Sequence, residues 1–194
     1  MRPHTIITSS TNLDNSVSID LDRNIFPTNI KIKYRNINGL GDKLGESDMI
    51  EDITSRHITI LAEAMKGPSF SYDLPGFTVK SYPHSTHEKC KRRTPGGFVL
   101  ITKNTIGKYV NVVKQNDHVL WLKISCIKGN MSAFIPAVYM PHEHSVLHNQ
   151  EIEEFQSLLK DVEKYQSQGV IIPVGDFNVR TADAKRLSKY YTGY

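Results

Sequence analysis

Apolar and polar residues change rhythm several times along this chain, and each change marks an element. Ile30 and Ile32 alternate with Lys31 and Lys33, the period-two pattern of a strand. Asn38-Gly39 and Gly41 end it. Over residues 47–57, Met49, Ile50 and Ile53 fall at helical spacing, with Ser47 as the candidate N-cap. Ile58–Leu61 is an unbroken apolar run, β-branched at Ile58, Thr59 and Ile60, which predicts a buried strand.

The middle of the chain reads as strands in succession: Phe98–Thr102, Tyr109–Val113, His118–Ile124 around Trp121, and Ala133–Tyr139 ending at Pro141. A helix from about Asn149 to Gln168 follows. Ile152, Phe155, Leu158, Leu159, Val162 and Tyr165 fall on its apolar face, and Gly169 stands just past its end. Val170–Val174 is a further buried strand, leading into Gly175-Asp176-Phe177-Asn178. Pro136 and Pro173 each lack a ladder donor, so both belong at a strand edge or a bulge. Strands broken by two helices predict an α/β protein with a mixed sheet or two packed sheets. Residues 1–28, rich in Ser, Thr, Asn and Asp without a sustained period, read as a poorly ordered N-terminal extension with a short strand around Thr5–Thr8. Residues 29–194 are then the folded domain.

Composition narrows the class. With 39% hydrophobic and 23% charged residues, the chain has the makeup of a soluble globular protein. Its longest apolar stretches, such as Val170–Val174, fall far short of the ~20 residues that span a bilayer. The N-terminus shows no apolar signal-peptide region. Cys90 and Cys126 alone exclude a disulfide framework and make a reducing compartment the default, hence an intracellular protein of nucleus or cytoplasm. The net charge of +4 weakly favours a polyanionic partner.

Candidate chemistry gathers at strand ends: the Asn36–Leu40 segment, Glu63 after Ile58–Leu61, Tyr139 closing its strand, and Asp176 with Asn178 closing theirs. Groups at the carboxyl ends of strands commonly converge on one crevice. An Asp, a Glu and several amides make an all-oxygen site suited to Mg²⁺, Mn²⁺ or Ca²⁺, with room for a phosphate. Such a site suits phosphodiester hydrolysis, in which metal, carboxylate and hydrogen-bond donors share the charge. Taken singly, each cluster is more readily a turn or a solvated loop than a site. Their joint order is the argument.

In that order the clusters resemble the endonuclease/exonuclease/phosphatase superfamily, the deoxyribonuclease I-like metal-dependent phosphodiesterases. Within it, the chain looks most like the endonuclease domain of LINE-type non-LTR retrotransposons. Asn-Ile-Asn-Gly-Leu at 36–40, Ile60-Leu61-Ala62-Glu63, Val138-Tyr139-Met140-Pro141 and Gly175-Asp176-Phe177-Asn178 followed by Arg180-Thr181 resemble its motifs. Pro75-Gly76-Phe77, Gly96-Gly97-Phe98-Val99 and His118–Ile124 resemble its scaffold segments. The resemblance implies a four-layer α/β sandwich of two packed mixed β-sheets flanked by helices, incomplete at the C-terminus. It implies that Glu63, with Asn36, holds Mg²⁺ or Mn²⁺, and that Tyr139 donates to the scissile phosphate. Asp176 would orient or deprotonate the attacking water, and Asn178 would stabilise the pentacovalent phosphorus. Asn38 and His142 are candidate substrate contacts. DNA would be held through its phosphate backbone, with a reverse transcriptase domain in the parent element.

The departures matter too. Ala64 replaces the polar residue usual after the metal Glu, and His142 stands where Asn is common. The family's closing Ser-Asp-His motif is absent from these 194 residues. A weak or inactive endonuclease is therefore the expectation, with a catalytically dead relic that binds nucleic acid or a protein as the alternative. Among other features, His142, His144 and His148, with His84 and His87, invite a zinc reading, although a His-rich loop is usually just polar. Lys89-Cys90-Lys91-Arg92-Arg93 suits phosphate contacts or a solvated loop equally. Trp121 reads as core, His118 as a capping or loop-bonding residue, and Cys90 as incidental.

Overall fold

The apolar faces read above are buried against one another in four layers. A computed structural model describes residues 15–20, 29–85, 96–127, 131–140 and 148–177. One sheet comprises β1 (Asn15–Asp20), β2 (Asn29–Asn36), β3 (Ile58–Ala62), β4 (Phe77–Tyr82) and β5 (Phe98–Lys103), in the order β1-β2-β3-β5-β4. The other comprises β6 (Val110–Gln115), β7 (Val119–Ile127), β8 (Met131–Tyr139), β9 (Gly169–Ile171) and β10 (Val174–Asp176). Its order is β10-β8-β7-β6, with β9 also on β8. Both sheets are mixed: β2 with β3, β8 with β9 and β8 with β10 run parallel, and the remaining pairs antiparallel.

Three apolar clusters separate the layers. The inner faces of both sheets meet in a core that includes Ile30, Ile32, Ile60, Leu122 and Ile135. Helix α1 (Ser47–Thr54) covers the outer face of the first sheet through Met49 and Ile53, against Leu61, Val99 and Ile101. Helix α2 (His148–Gln166) covers the second sheet through Leu158 and Tyr165, against Trp121, Phe134 and Val138. Tyr165 stacks on Phe134 with ring centroids 4.7 Å apart. This is the expected two-sheet sandwich with a helix on each side. No described helix is long and apolar enough to cross a membrane.

Several expectations are corrected. Residues 15–20 are not an irregular extension: they form β1, antiparallel to β2, because the exposed edge of β2 offers a ladder of backbone groups to pair. Thr5–Thr8 lies outside the described residues. The first helix starts at Ser47 itself, so Glu46 takes the cap position, without a side-chain cap bond. Strand β4 adds an edge that the sequence reading did not include. The strand read as Val170–Val174 is two strands, β9 and β10, interrupted at Ile172-Pro173. Pro136 lies opposite this break, between Phe134, which pairs with Ile171, and Ala137, which pairs with Val174. Both prolines therefore sit where no ladder bond is required, as their missing N–H demands.

On α2, Leu158 and Tyr165 are buried and Phe155 and Val162 partly so, but Leu159 is 39% exposed. The helix gives part of its inward stripe to Asp161, 7% exposed and bonded to Lys114 Nζ of β6 at 2.5 Å. Leu158→Ala should cost about 2–5 kcal/mol in urea denaturation. Leu159→Ala should cost under about 1 kcal/mol. Equal losses would refute this orientation of the helix.

Candidate active site

The Asn36–Leu40 segment leaves β2 and runs beside the end of β3. Ile37 N–H donates to Ala62 O (3.0 Å), Gly39 N–H to Glu63 O (2.7 Å) and Leu40 N–H to Ala64 O (3.0 Å). From the other side, Ala64 and Met65 N–H donate to Gly97 O (3.1 Å) and Gly96 O (2.9 Å). Glu63 is thus clamped between two loops. Asn38, Glu63 and Met65 all hold positive φ, at 45°, 51° and 53°. Such backbone costs on the order of 1–3 kcal/mol per residue and persists only where its surroundings enforce it. The buried Ala64 beside it is filled in by the α1-side core, which explains an apolar residue at that position.

The left-handed turn ends the strand alternation and brings the Glu63 carboxylate to the end of the opposite sheet. There the Tyr139 hydroxyl donates to Glu63 Oε1. Tyr139 is fixed by its own backbone, with its N–H on His118 O at 2.8 Å. Asp176 lies beside it by register, since β10 pairs parallel with β8, Asp176 opposite Tyr139, and Met140 N–H donates to Asp176 O (2.9 Å). That approach depends on Gly175. Its φ is 143°, and a Cβ there would meet Val138 O at 2.1 Å. Asn36 ends β2 alongside Ala62, and its Oδ1 accepts Asn38 N–H at 3.1 Å.

Glu63, Tyr139, Asp176 and Asn36 are therefore together at one end of the sandwich, and Asn38 lies next to Asn36 on the exposed loop. Asn178, His142, His144, His87 and the Lys89–Arg93 run lie outside the described residues, as does the side chain of His148. Two lysines brace the loop: Lys43 Nζ donates to Ile37 O (2.6 Å) and Lys66 Nζ to Gly41 O (3.0 Å). Trp121 is core, at 1% exposure. His84 and His118 meet edge to face at 5.9 Å at the same end of the sheets, and His84 Nε2 lies 3.5 Å from Asp117 Oδ2. Burial lowers the His84 pKa, opposed by Asp117.

Tyr34 was missed by the sequence reading. It sits on β2 two residues before Asn36, on the face that carries Ile30 and Ile32 into the inter-sheet core. Period-two alternation puts residue 34 on the same face as Asn36, and that was the available signal. Burial raises the Tyr34 pKa far above its ordinary value, with the Asp176, Tyr139 and Glu63 charges adding and the Asp176 backbone amide opposing. Burial also raises that of Tyr139, followed by its bond to Glu63 and the charges of Glu63 and Asp176. Both phenols thus hold their protons at neutral pH and act as donors.

A consequence follows for alkaline stability. An unfolded tyrosine ionises near pH 10.0, whereas these folded ones do not. Their contribution is intact below that pH and is lost as pH rises toward the folded values, because the unfolded state releases protons first. Urea midpoints should fall beyond pH 10, less steeply in Tyr34→Phe. A Tyr34→Phe profile parallel to wild type would contradict the raised Tyr34 pKa.

The donor set fits a hard divalent cation. Glu63, Asp176 and the Asn36 amide offer oxygen only, and among the described residues no three His, Cys, Asp or Glu side chains gather to cage a metal. One or two carboxylates with water and phosphate oxygens is an ordinary Mg²⁺ shell, and a poor one for zinc.

No family model matches the sequence, and no curated protein sequence does. The structure is similar to that of an AP endonuclease from Leishmania major, with TM-score 0.60 and 14% identity over 78% of this chain and 56% of that one. It is also similar to a 3′ phosphatase from Neisseria bound to product DNA hairpin, with TM-score 0.53 and 15% identity over 80% and 60%. A third similar structure is the endonuclease domain of TRAS1, a telomere-specific non-LTR retrotransposon, with TM-score 0.50 and 12% identity over 77% and 61%. The matched part of this chain thus corresponds to 56% of the first of these proteins, 60% of the second and 61% of the third. Likeness at such identity is likeness of fold, and the fold is the two-sheet sandwich expected above.

Proposed function

We propose that this chain, which has the deoxyribonuclease I-like fold, is the catalytic part of a metal-dependent DNA endonuclease of retrotransposon type. The observation that carries the reading is the Glu63–Tyr139 pair, which joins the two sheets beside Asp176 at the carboxyl ends of β3, β8 and β10. The DNA hairpin in the Neisseria structure and the retrotransposon origin of the TRAS1 domain support the substrate and the type. The folded unit runs over 29–194, with β1 added as an edge strand.

Glu63 and Asn36 would hold Mg²⁺ or Mn²⁺, and the bound cation would supply positive charge that offsets that of the phosphate. Tyr139, protonated at neutral pH, donates to the phosphate, where a donor aimed at developing charge stabilises the transition state. Without substrate the Tyr139 O–H donates to Glu63 Oε1. Asp176 accepts the proton of the attacking water as its oxygen bonds to phosphorus and the bond to the leaving oxygen breaks. Asn178 donates to the phosphoryl oxygens, and Asn38 and His142 contact the flanking backbone.

The test is plasmid nicking with Mg²⁺ or Mn²⁺, using the full reading frame that contains this chain and its Glu63→Ala and Asp176→Ala variants. Nicking that requires the cation and disappears in both variants is expected. Cation-independent nicking, or nicking that survives either substitution, would overturn the reading.

A further inference from the structure

The strained turn at Glu63 is anchored to a loop that itself rests on a buried histidine. Glu63 and Met65 keep positive φ while the Gly97 and Gly96 carbonyls accept the Ala64 and Met65 N–H groups at 3.1 and 2.9 Å. Against that loop lies His84, 8% exposed, just past the end of β4. A Cβ on Gly96 would meet His84 Cδ2 at 3.0 Å, and one on Gly97 would meet His84 N at 3.1 Å, so the loop is seated directly on this residue. The ring is gripped in turn from the second sheet, by the connection between β6 and β7. His118 meets it edge to face, and Asp117 Oδ2 lies 3.5 Å from its Nε2. Ser85 fixes the Asp117 carboxylate, with its N–H and hydroxyl donating at 2.6 and 2.5 Å. The same connection carries the His118 carbonyl that accepts the Tyr139 N–H.

These contacts tie the two sheets together behind the Glu63–Tyr139 pair. Positive φ at two non-glycine residues costs on the order of 1–3 kcal/mol each, so the turn relaxes wherever its anchors give way. Leucine or phenylalanine would also fill the space beside Gly96, but either would leave the Asp117 carboxylate facing an apolar group. An imidazole packs on the glycines and still offers that carboxylate a polar neighbour. We propose that His84 is a positioning residue: its ring, held by Asp117 and His118, fixes the Gly96–Gly97 carbonyls and through them the turn that presents the Glu63 carboxylate to the cation. This rests on the reading of Glu63 as a cation ligand given above. Groups one step behind a metal ligand orient it, and losing one typically costs about 10–100-fold in metal affinity. His84 acts through the backbone, without touching the cation.

The experiment is His84→Ala on the full reading frame, with two readouts that do not depend on nicking. Amide hydrogen exchange, followed by mass spectrometry on the metal-free protein, should be faster by about tenfold or more at residues 64 and 65, while the β3 amides keep their protection. Mn²⁺ titrated by electron paramagnetic resonance should bind about tenfold more weakly or worse. His84→Gln keeps an amide that can reach Asp117 and should recover most of both losses. Asp117→Asn leaves the ring in place and removes the charge that faces it, so it makes the same test without opening a cavity. It should move both readouts in the same direction by less. Unchanged exchange at residues 64 and 65, or unchanged Mn²⁺ affinity, would overturn the proposal. So would exchange that rises equally throughout β3, which would make His84 merely structural. Faster exchange at residues 64 and 65 in a protein whose Mn²⁺ binding ignores Glu63→Ala would sink the metal reading of Glu63 and leave the hold of His84 on its backbone standing.

Discussion

Gly175→Ala should destabilise the protein by more than about 4 kcal/mol and lower its melting temperature by roughly 10 °C. Two independent penalties add at this position. The backbone holds φ at 143°, a region that L residues rarely adopt. A Cβ would also lie 2.1 Å from Val138 O and 2.7 Å from Val138 N. Both are main-chain atoms of β8, which cannot withdraw because β7 pairs along its other edge and Val138 is fully buried. Relief has to come from β10 lifting away, which would separate Asp176 from Tyr139. Gly45→Ala is the control, since a Cβ there meets nothing within 4 Å. Circular dichroism melts and urea titrations of both variants decide the matter. A Gly175→Ala loss below about 1 kcal/mol would mean that β10 is not seated on β8 in this way.

Tyr139→Phe should reduce kcat for nicking by about 10²–10³, the usual consequence of removing one preorganised donor to a developing oxyanion. Its expected effect on the fold is small, because the ring stays in place and only the half-buried hydroxyl is lost. The melting temperature should remain within about 3 °C of wild type. Glu63 loses the one hydrogen bond described for its Oε1, so the carboxylate gains freedom and part of the loss should show as a higher cation requirement. Measuring kcat across a Mg²⁺ titration separates the two effects. A kcat within about threefold of wild type at saturating cation would remove Tyr139 from the phosphate's contacts.

Most of the element order was legible in the sequence, because strand and helix patterns are local. Alternation at Ile30–Lys33, the apolar run at Ile58–Leu61 and the 3.6-residue stripe of α2 are set by which faces can leave water, and the structure buries those faces. The candidate residues Asn36, Glu63, Tyr139 and Asp176 were legible as polar residues closing apolar strands. Their roles were supplied by resemblance.

What the tertiary structure decided concerns partners distant in the chain. Glu63 and Tyr139 meet across 76 residues and two sheets, a contact no local pattern encodes. Strand β1 exists because the free edge of β2 accepts it; the alternation of Val17 and Ile19 with polar neighbours is too short to mark a strand by itself. The division of Val170–Val174 into β9 and β10 follows from Pro136 and Pro173 facing one another, which is visible only once β8 lies alongside. Leu159 was assigned to the core by periodicity and turned outward because Lys114 of another strand draws Asp161 into the stripe. Tyr34 carried no signal of its own in the sequence, and only the packing of β10 against β2 across the core sets it beside Asp176. Sequence periodicity determines which face is buried; what that face meets is set by long-range packing, and the site chemistry depends on the meeting.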